Sequence, residues 1–177
     1  AYVLWLPESS SRKAWTPHVT DLVFSRQRIV RLRAADASGS DRIGPLVEAA
    51  KALGLRFSAI WIEAPDSETG RRLLAAGRHL ADPLQAALRD AGLVTAGRRA
   101  PRLHVCFVER NRTFVGTSDP HARSPWPMGI PRLRMPPGAP SRSTAKLAEA
   151  FLVFLGEREA ELLRPGMRAV DLGAAPG

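Results

Sequence analysis

Hydrophobic and polar positions alternate along the chain with two periods, one typical of strands and one typical of helices. Short apolar or alternating runs predict strands at residues 2–6, 23–32, 56–63, 103–109 and 113–117. Apolar positions spaced as on one helix face predict helices at residues 41–53, 68–80 and 83–91. Asp41 and Asp82 are expected to cap the first and third helices, and Gly54 and Gly92 to end them. With a small-residue linker at residues 34–40, this order predicts a compact α+β domain.

The pattern changes after residue 118, where proline replaces periodicity. Seven prolines fall between residues 119 and 140. Proline at this density prevents a regular helix and favours an extended segment, so we place a domain junction here. Beyond it, Ser141 or Ser143 is expected to cap a helix that runs to residue 155 and carries Leu147 and Phe154 in its apolar stripe.

Composition excludes several classes of protein. Hydrophobic residues make up 45% of the 177-residue chain, which argues against wholesale disorder. No apolar run approaches the roughly 18 residues of a membrane span, and no signal-peptide pattern opens the chain, so a soluble, cytoplasmic protein is expected. Cys106 is the only cysteine, which excludes a disulfide within the chain and predicts a small buried side chain in a strand. The four histidines lack metal-ligand spacing and are expected to be structural or surface residues, so no metal is expected.

Positive charge is in excess and clustered. Lys and Arg number 26 against 17 Asp and Glu, a net charge of +9. No acidic residue stands between Asp119 and Glu149, a stretch with four arginines and one lysine, and five arginines fall within residues 98–112 beside the single acid Glu109. Such clusters attract phosphate backbones and favour nucleic-acid binding. A basic surface can also serve solubility alone, and arginine can follow genome composition.

The last residues form a second candidate site. A helical piece at residues 157–163 precedes a predicted strand at residues 169–172, which passes directly into a glycine-containing loop at residues 173–177. In Rossmann-type folds such a loop lets the backbone approach a nucleotide-like ligand at the carboxyl end of the strand. Asp171 can orient the loop or accept hydrogen bonds from a cationic amino-acid group. An ordinary strand–turn–helix junction is the alternative, and a dinucleotide fingerprint fits less well because Pro176 interrupts the loop.

Several segments resemble one family of enzymes. Val-Asp-Leu-Gly-Ala-Ala-Pro-Gly at residues 170–177 resembles the first cofactor motif of the 2′-O-ribose RNA methyltransferases. Residues 124–134 and 139–147 resemble the bacterial members that methylate a cytidine ribose in large-subunit ribosomal RNA, and residues 83–92 and 22–27 are also similar to them. The resemblance therefore covers almost the whole chain.

The resemblance implies a division of the chain. It places a partial ferredoxin-like region at residues 1–35, a THUMP-like RNA-binding domain at 36–119, a proline-rich junction at 120–140 and the start of a Rossmann-like methyltransferase domain at 141–177. The expected fold class is therefore α+β, leading into the first strand of a truncated Rossmann-like α/β domain. Ala1 in place of Met, and an end inside a glycine-containing run, agree with this expectation of a fragment.

The resemblance also implies functional residues, with S-adenosylmethionine as cofactor and large-subunit ribosomal RNA as partner. The implied cofactor-binding residues are Ser143, Asp171, Gly173, Ala175, Pro176 and Gly177. Lys146 falls on a lysine beside the target hydroxyl, where its charge stabilises a developing alkoxide or where, when neutral, it takes a proton. A solvated lysine on a helix is the alternative. The family's general-base lysine lies beyond residue 177, so the chain alone is not expected to catalyse.

Charge and resemblance together indicate RNA-binding residues at the junction. They are Arg123, Trp126, Arg132, Arg134 and Arg142. In this interpretation the arginines bind phosphates, while the tryptophan stacks on an unpaired base. A tryptophan packed between two domains, and arginines as solvated loop charges, remain open alternatives.

Three functions compete at this point. The leading hypothesis is a methyltransferase that modifies an RNA ribose hydroxyl. The second is a non-catalytic RNA-binding module, which salt-dependent RNA binding without cofactor binding would favour. The third is an oxidoreductase that holds a nicotinamide nucleotide at the terminal loop, which binding of NADH but not of S-adenosylmethionine would favour.

Overall fold

The structure, a computed structural model, describes residues 26–97, 99–121, 123–135, 137–139, 141, 143–168 and 170. The chain divides into two compact units, Ala1–Ile130 and Pro131–Gly177. The strand predicted at residues 2–6 lies outside the described residues, as does the first part of the strand predicted at 23–32.

A four-stranded mixed sheet forms the centre of the first unit. Its strands are β1 (Val30–Ala35), β2 (Ala59–Glu63), β3 (Arg102–Glu109) and β4 (Arg112–Ser118). In the order β1-β4-β3-β2, β4 is antiparallel to both of its neighbours, whereas β2 and β3 are parallel. Parallel strands need a crossover connection, which helices supply here. Together with these helices the sheet makes a mixed α/β fold, and β2 lies at an edge of the described sheet.

The strand predictions for this unit agree with the structure except at three places. The strand predicted at 23–32 is displaced, because the described residues 26–29 belong to no strand and β1 runs from Val30 to Ala35. The bounds of β3 and β4 differ from the predicted ones by at most one residue, and both predictions are confirmed. Strand β2 begins later than predicted, after a single parallel bridge between Phe57 and Val94. The linker predicted at residues 34–40 is wrong at its start, because Ala34 and Ala35 pair with Phe114 and Thr113 of β4. A neighbouring strand here outweighs the weak strand preference of alanine.

Three helices belong to this unit: α1 (Gly44–Lys51), α2 (Glu68–Gly77) and α3 (Ala81–Asp90). Asp41 caps α1 as predicted, since its Oδ1 accepts from the backbone N–H groups of Ile43 and Gly44 at 3.0 and 2.8 Å. Gly54 and Gly92 follow α1 and α3 with φ of +66° and +71°, the left-handed conformation that ends helices.

The predicted cap of the third helix is wrong. A 3₁₀ turn at Arg78–Leu80 continues directly from α2, and α3 then begins at Ala81. Asp82 therefore lies inside the first turn of α3, where its charge still faces the positive end of the helix dipole. The helix begins without a side-chain cap because the preceding turn already occupies its N-terminal groups.

The core lies between the helices and one face of the sheet. Leu103, Val105 and Phe107 alternate along β3 and are at most 2% exposed, and they pack with Leu46 of α1 and Leu84 of α3. Successive strand residues point to opposite faces. The same alternation therefore sends the intervening side chains of β3 to the other face, where the candidate site lies.

The proline-rich stretch contains no regular α-helix or strand among its described residues, as predicted. Its one turn of 3₁₀ helix, Pro127–Gly129, includes Met128 at φ +59° and Gly129 at φ +68°. A Cβ atom on Gly129 would overlap the backbone carbonyl of Arg26. This close approach requires glycine.

In the second unit, α4 (Ser143–Phe154) leads through a 3₁₀ turn to α5 (Glu159–Leu162). The Oγ of Ser141 accepts from the N–H of Ser143 at 3.1 Å, so Ser141 is the capping residue of the two proposed. Two residues of the predicted apolar stripe are exposed, Leu147 to 55% and Phe154 to 82%. Val170, a described residue of the strand predicted at 169–172, is also exposed and belongs to no strand.

Candidate nucleic-acid interface

Polar side chains cross the sheet face that lies opposite the core. Glu63 ends β2, His104 lies within β3 and Ser118 ends β4. The strand registers pair Trp61 with His104 and Arg102 with Ser118, and paired residues on neighbouring strands share a face. The glutamate, histidine and serine are 2%, 0% and 1% exposed, so they form a buried polar row.

Hydrogen bonds connect this row. The Nδ1 of His104 lies 2.7 Å from Oε2 of Glu63, and its Nε2 lies 2.7 Å from Oγ of Ser118. With an ionised glutamate and a neutral imidazole, Nδ1 carries the proton and donates to the glutamate, and Nε2 accepts from the serine hydroxyl. Serine, histidine and carboxylate occur in the same order in nucleophilic triads. Here their near-complete burial leaves no path for a substrate, so the row is structural.

Glu63 also binds two segments outside the row. Its Oε1 accepts from the backbone N–H of Met128 at 2.6 Å, and Nε2 of Gln27 donates to both carboxylate oxygens at 3.2 and 2.9 Å. One buried carboxylate therefore joins residue 27, strand β3 and the turn at Pro127–Gly129. Removing it would leave several donors without an acceptor.

A pair of arginines lies beside this network. The guanidinium carbon of Arg102 lies 3.2 Å from the centroid of the Trp61 ring, and its Nη1 donates to the carbonyl of Ser124 at 2.9 Å. Arg123 donates through Nη1 to the Oγ of Ser58 at 3.3 Å. Among the described residues, no carboxylate forms an ion pair with either arginine.

The surroundings of Arg102 are unfavourable for its own charge. Burial lowers the pKa of Arg102 to about 10, the neighbouring positive charge of Arg123 lowers it as well, and Glu63 opposes both effects. Only 8% of Arg102 is exposed, and its Nε atom has no hydrogen-bond partner. An anion bound here would offset the repulsion between the two guanidinium groups.

The predicted RNA-binding residues fall in both units. Arg123 lies next to Arg102, and Trp126 is half-buried directly before the turn at Pro127–Gly129. Arg132 and Arg134 are exposed in a segment without regular structure in the second unit. These positions do not test the two interpretations of Trp126, stacking on an unpaired base and packing between two domains, and both stay predictions.

The predicted catalytic region is described in part. Ser143 and Lys146 are exposed in the first turn of α4, three residues apart and therefore on one side of the helix. The remaining predicted residues lie outside the described part of the chain: Arg142, Asp171, Gly173, Ala175, Pro176 and Gly177. Their roles stay predictions.

The sequence reasoning missed most of the buried network. Glu63, Ser118 and Trp61 were not expected in a site, and His104 was expected to be an ordinary structural or surface residue. The available signal was the alternation of Arg102 and His104 with apolar residues at 103, 105 and 107, which is typical of a strand with one polar face. The buried state predicted for Cys106, the remaining polar-face position, is confirmed.

Two further properties concern only the part of the chain that the structure describes. Within it, no group of three His, Cys, Asp or Glu residues is placed to hold a metal ion. No helix there has the length and apolar character that crossing a membrane requires.

Comparisons with known proteins confirm the resemblance. Residues 41–119 match the family described as "Ribosomal RNA large subunit methyltransferase M, N-terminal". The whole chain is 46% identical to "Ribosomal RNA large subunit methyltransferase M" from Methylococcus capsulatus. Over 99% of its length, it is 43% identical to the protein of the same name from Xanthomonas campestris. The chain spans 51% and 52% of these two relatives, about half of their length. The chain therefore resembles ribosomal RNA large subunit methyltransferase M proteins over its whole length, and its residues 41–119 match the model of their N-terminal domain.

Proposed function

We propose that this chain is the RNA-binding portion of an enzyme that methylates large-subunit ribosomal RNA. The observation that carries the proposal is the 46% identity, over the whole chain, to a relative named for that reaction. At this identity the two chains share a fold, and the proposal extends the likeness to the substrate. A protein that acts on ribosomal RNA is expected in the cytoplasm.

The charge of the described residues supports RNA as the partner. Arg102 and Arg123 form a cationic pair without a carboxylate partner, and Arg132 and Arg134 are exposed further along the chain. Cations in this arrangement bind phosphates and position an RNA without reading its sequence. In the proposed division, residues 36–119 are THUMP-like, and their four-stranded sheet with flanking helices is compatible with that assignment.

The proposed reaction is methylation of the 2′-oxygen of a cytidine ribose. S-adenosylmethionine would supply an electrophilic methyl group, and the proposed Rossmann-like part begins at residue 141. In this proposal Ser143, Asp171 and the loop at residues 173–177 bind the methyl donor, while the ammonium of Lys146 stabilises the oxygen as it loses its proton. The base that takes the proton is proposed to lie outside this chain, which alone would be inactive.

The test measures methyl transfer by the full-length protein to ribosomal RNA from large subunits that lack the modification. Radiolabelled S-adenosylmethionine is the donor, and mass spectrometry of RNA fragments locates the modified nucleotide. Lys146→Ala is expected to reduce the rate about 100-fold, the usual effect of losing one group that stabilises an oxyanion. The control Lys51→Ala removes an exposed lysine of α1 and should keep the wild-type rate.

The outcomes separate the parts of the proposal. Absence of methyl transfer to ribosomal RNA by the wild-type protein would refute the function. Transfer to a base or to another nucleotide would refute the assignment to a cytidine ribose. Equal rates for the two lysine variants would remove Lys146 from the site.

A second candidate, a non-catalytic RNA-binding module, is favoured by one observation. The chain spans about half the length of its relatives, and its described residues form a sheet unit and a short helical unit. Salt-dependent RNA binding by the 177-residue chain, without binding of S-adenosylmethionine, would support this function for the chain itself.

A further inference from the structure

A groove of about 410 Å³ runs along β2, and we refer to it as the β2 groove. Isoleucines of β2, Leu74 and Pro127 give it apolar walls, Trp61 contributes an indole, and Arg78 and Gln85 add polar groups. Its volume falls within the range of about 300 to 1,000 Å³ that is typical of small-ligand sites. The groove is therefore large enough for one nucleotide-sized group.

Trp61 connects the β2 groove with the arginine pair. Its half-buried side chain lines the groove, and the guanidinium of Arg102 lies over its ring. Arg123 reaches Ser58, one residue before β2, and its charge is close enough to Arg102 to act on it. An aromatic surface and two cations therefore meet at one edge of the sheet.

The chemistry of this edge matches an unpaired nucleotide. Arginines bind phosphate oxygens with charge-assisted hydrogen bonds, and the pair has no carboxylate partner among the described residues. Aromatic side chains stack on unpaired bases. The exposed Gln85, with an amide that both donates and accepts, offers hydrogen bonds to a base edge.

We propose that the β2 groove binds one unpaired nucleotide of the RNA substrate, with its phosphate on the more accessible Arg123, the buried charge of Arg102 behind it, and its base against Trp61. This inference rests on the proposed function, because it takes RNA as the substrate. An extended peptide added to the open edge of β2 would bind through backbone hydrogen bonds. Such a peptide would leave the arginine pair without a countercharge.

The experiment measures binding of a fluorescein-labelled, single-stranded RNA 12-mer of mixed sequence to the full-length protein, at several salt concentrations. Arg123→Gln is expected to weaken binding about tenfold and to reduce the slope of log K against log salt by about 0.7, as for one phosphate contact to a single strand. The matched control Arg33→Gln removes the same charge from an exposed position of β1, the strand at the opposite edge of the described sheet. This control should change the RNA affinity and the salt slope less than Arg123→Gln does.

Two variants of Trp61 test the stacked base. Trp61→Leu should weaken binding about tenfold, within the range for loss of one stacked base, whereas Trp61→Phe keeps an aromatic surface and should bind nearly as the wild type does. Circular dichroism verifies that each variant is folded. If Trp61→Leu fails to fold, the comparison of Arg123→Gln with Arg33→Gln still decides the question.

The outcomes also separate this inference from the proposed function. Equal affinities and salt slopes for Arg123→Gln and Arg33→Gln would overturn the inference, as would wild-type affinity in a folded Trp61→Leu variant. If the wild type methylates ribosomal RNA while all variants bind equally, the function stands and the groove assignment falls. If the variants behave as expected but the wild type transfers no methyl group, the groove assignment stands alone.

Discussion

Replacing Glu63 with alanine should destabilise the first unit strongly. The carboxylate is 2% exposed and accepts from His104, Met128 and Gln27 at 2.6 to 3.2 Å. Alanine leaves the fully buried imidazole and the N–H of Met128 without their acceptor. At about 1–3 kcal/mol for each buried donor left unpaired, the loss in the free energy of unfolding is about 4 kcal/mol. The free energy of unfolding of a whole domain is only about 5–15 kcal/mol.

Urea unfolding followed by far-ultraviolet circular dichroism measures this loss. With a denaturant dependence of about 2 kcal/mol per molar urea, the expected loss lowers the unfolding midpoint by about 2 M. Glu63→Gln, which retains the shape and one acceptor oxygen, should cost less. The control Glu48→Ala breaks an exposed pair with Lys51 at 2.7 Å and should cost below about 1 kcal/mol. Equal losses for the two alanine variants would refute the reasoning.

Two further predictions concern the same unit. Gly129→Ala should destabilise the protein by more than about 2 kcal/mol, because a Cβ atom would overlap the backbone of Arg26. The control Gly92→Ala, at a similar φ but in open space, should cost about 1 kcal/mol. Urea unfolding midpoints compare the two variants, and equal shifts would contradict the close approach. Burial raises the pKa of the Cys106 thiol, so Ellman's reagent at pH 8 should react with it only after denaturation; rapid labelling of the native protein would show that the strand opens easily.

The candidate site could be predicted only in part. Arg123 was identified because it belongs to a stretch without acidic residues, and charge clustering is visible in a sequence. Its partner Arg102 lies 21 positions earlier, and only the pairing of β3 and the path of the following loop bring the two together. Trp61 was not predicted, because no local sequence pattern distinguishes a tryptophan whose ring lies under an arginine guanidinium from a tryptophan in the core.

The sequence alone determined the local elements of this protein. Strands β3 and β4, the Asp41 cap of α1 and the glycines after α1 and α3 follow from side-chain alternation, capping groups and left-handed backbone conformations, which depend on neighbouring residues. The tertiary structure decided which strands are adjacent and which polar residues become buried together. Glu63 lies 41 positions from His104, so their hydrogen bond exists only because β2 and β3 pair in parallel. A pattern of hydrophobic and polar residues is a local property of the chain, whereas the energy of a buried polar group depends on partners that the fold brings from distant positions.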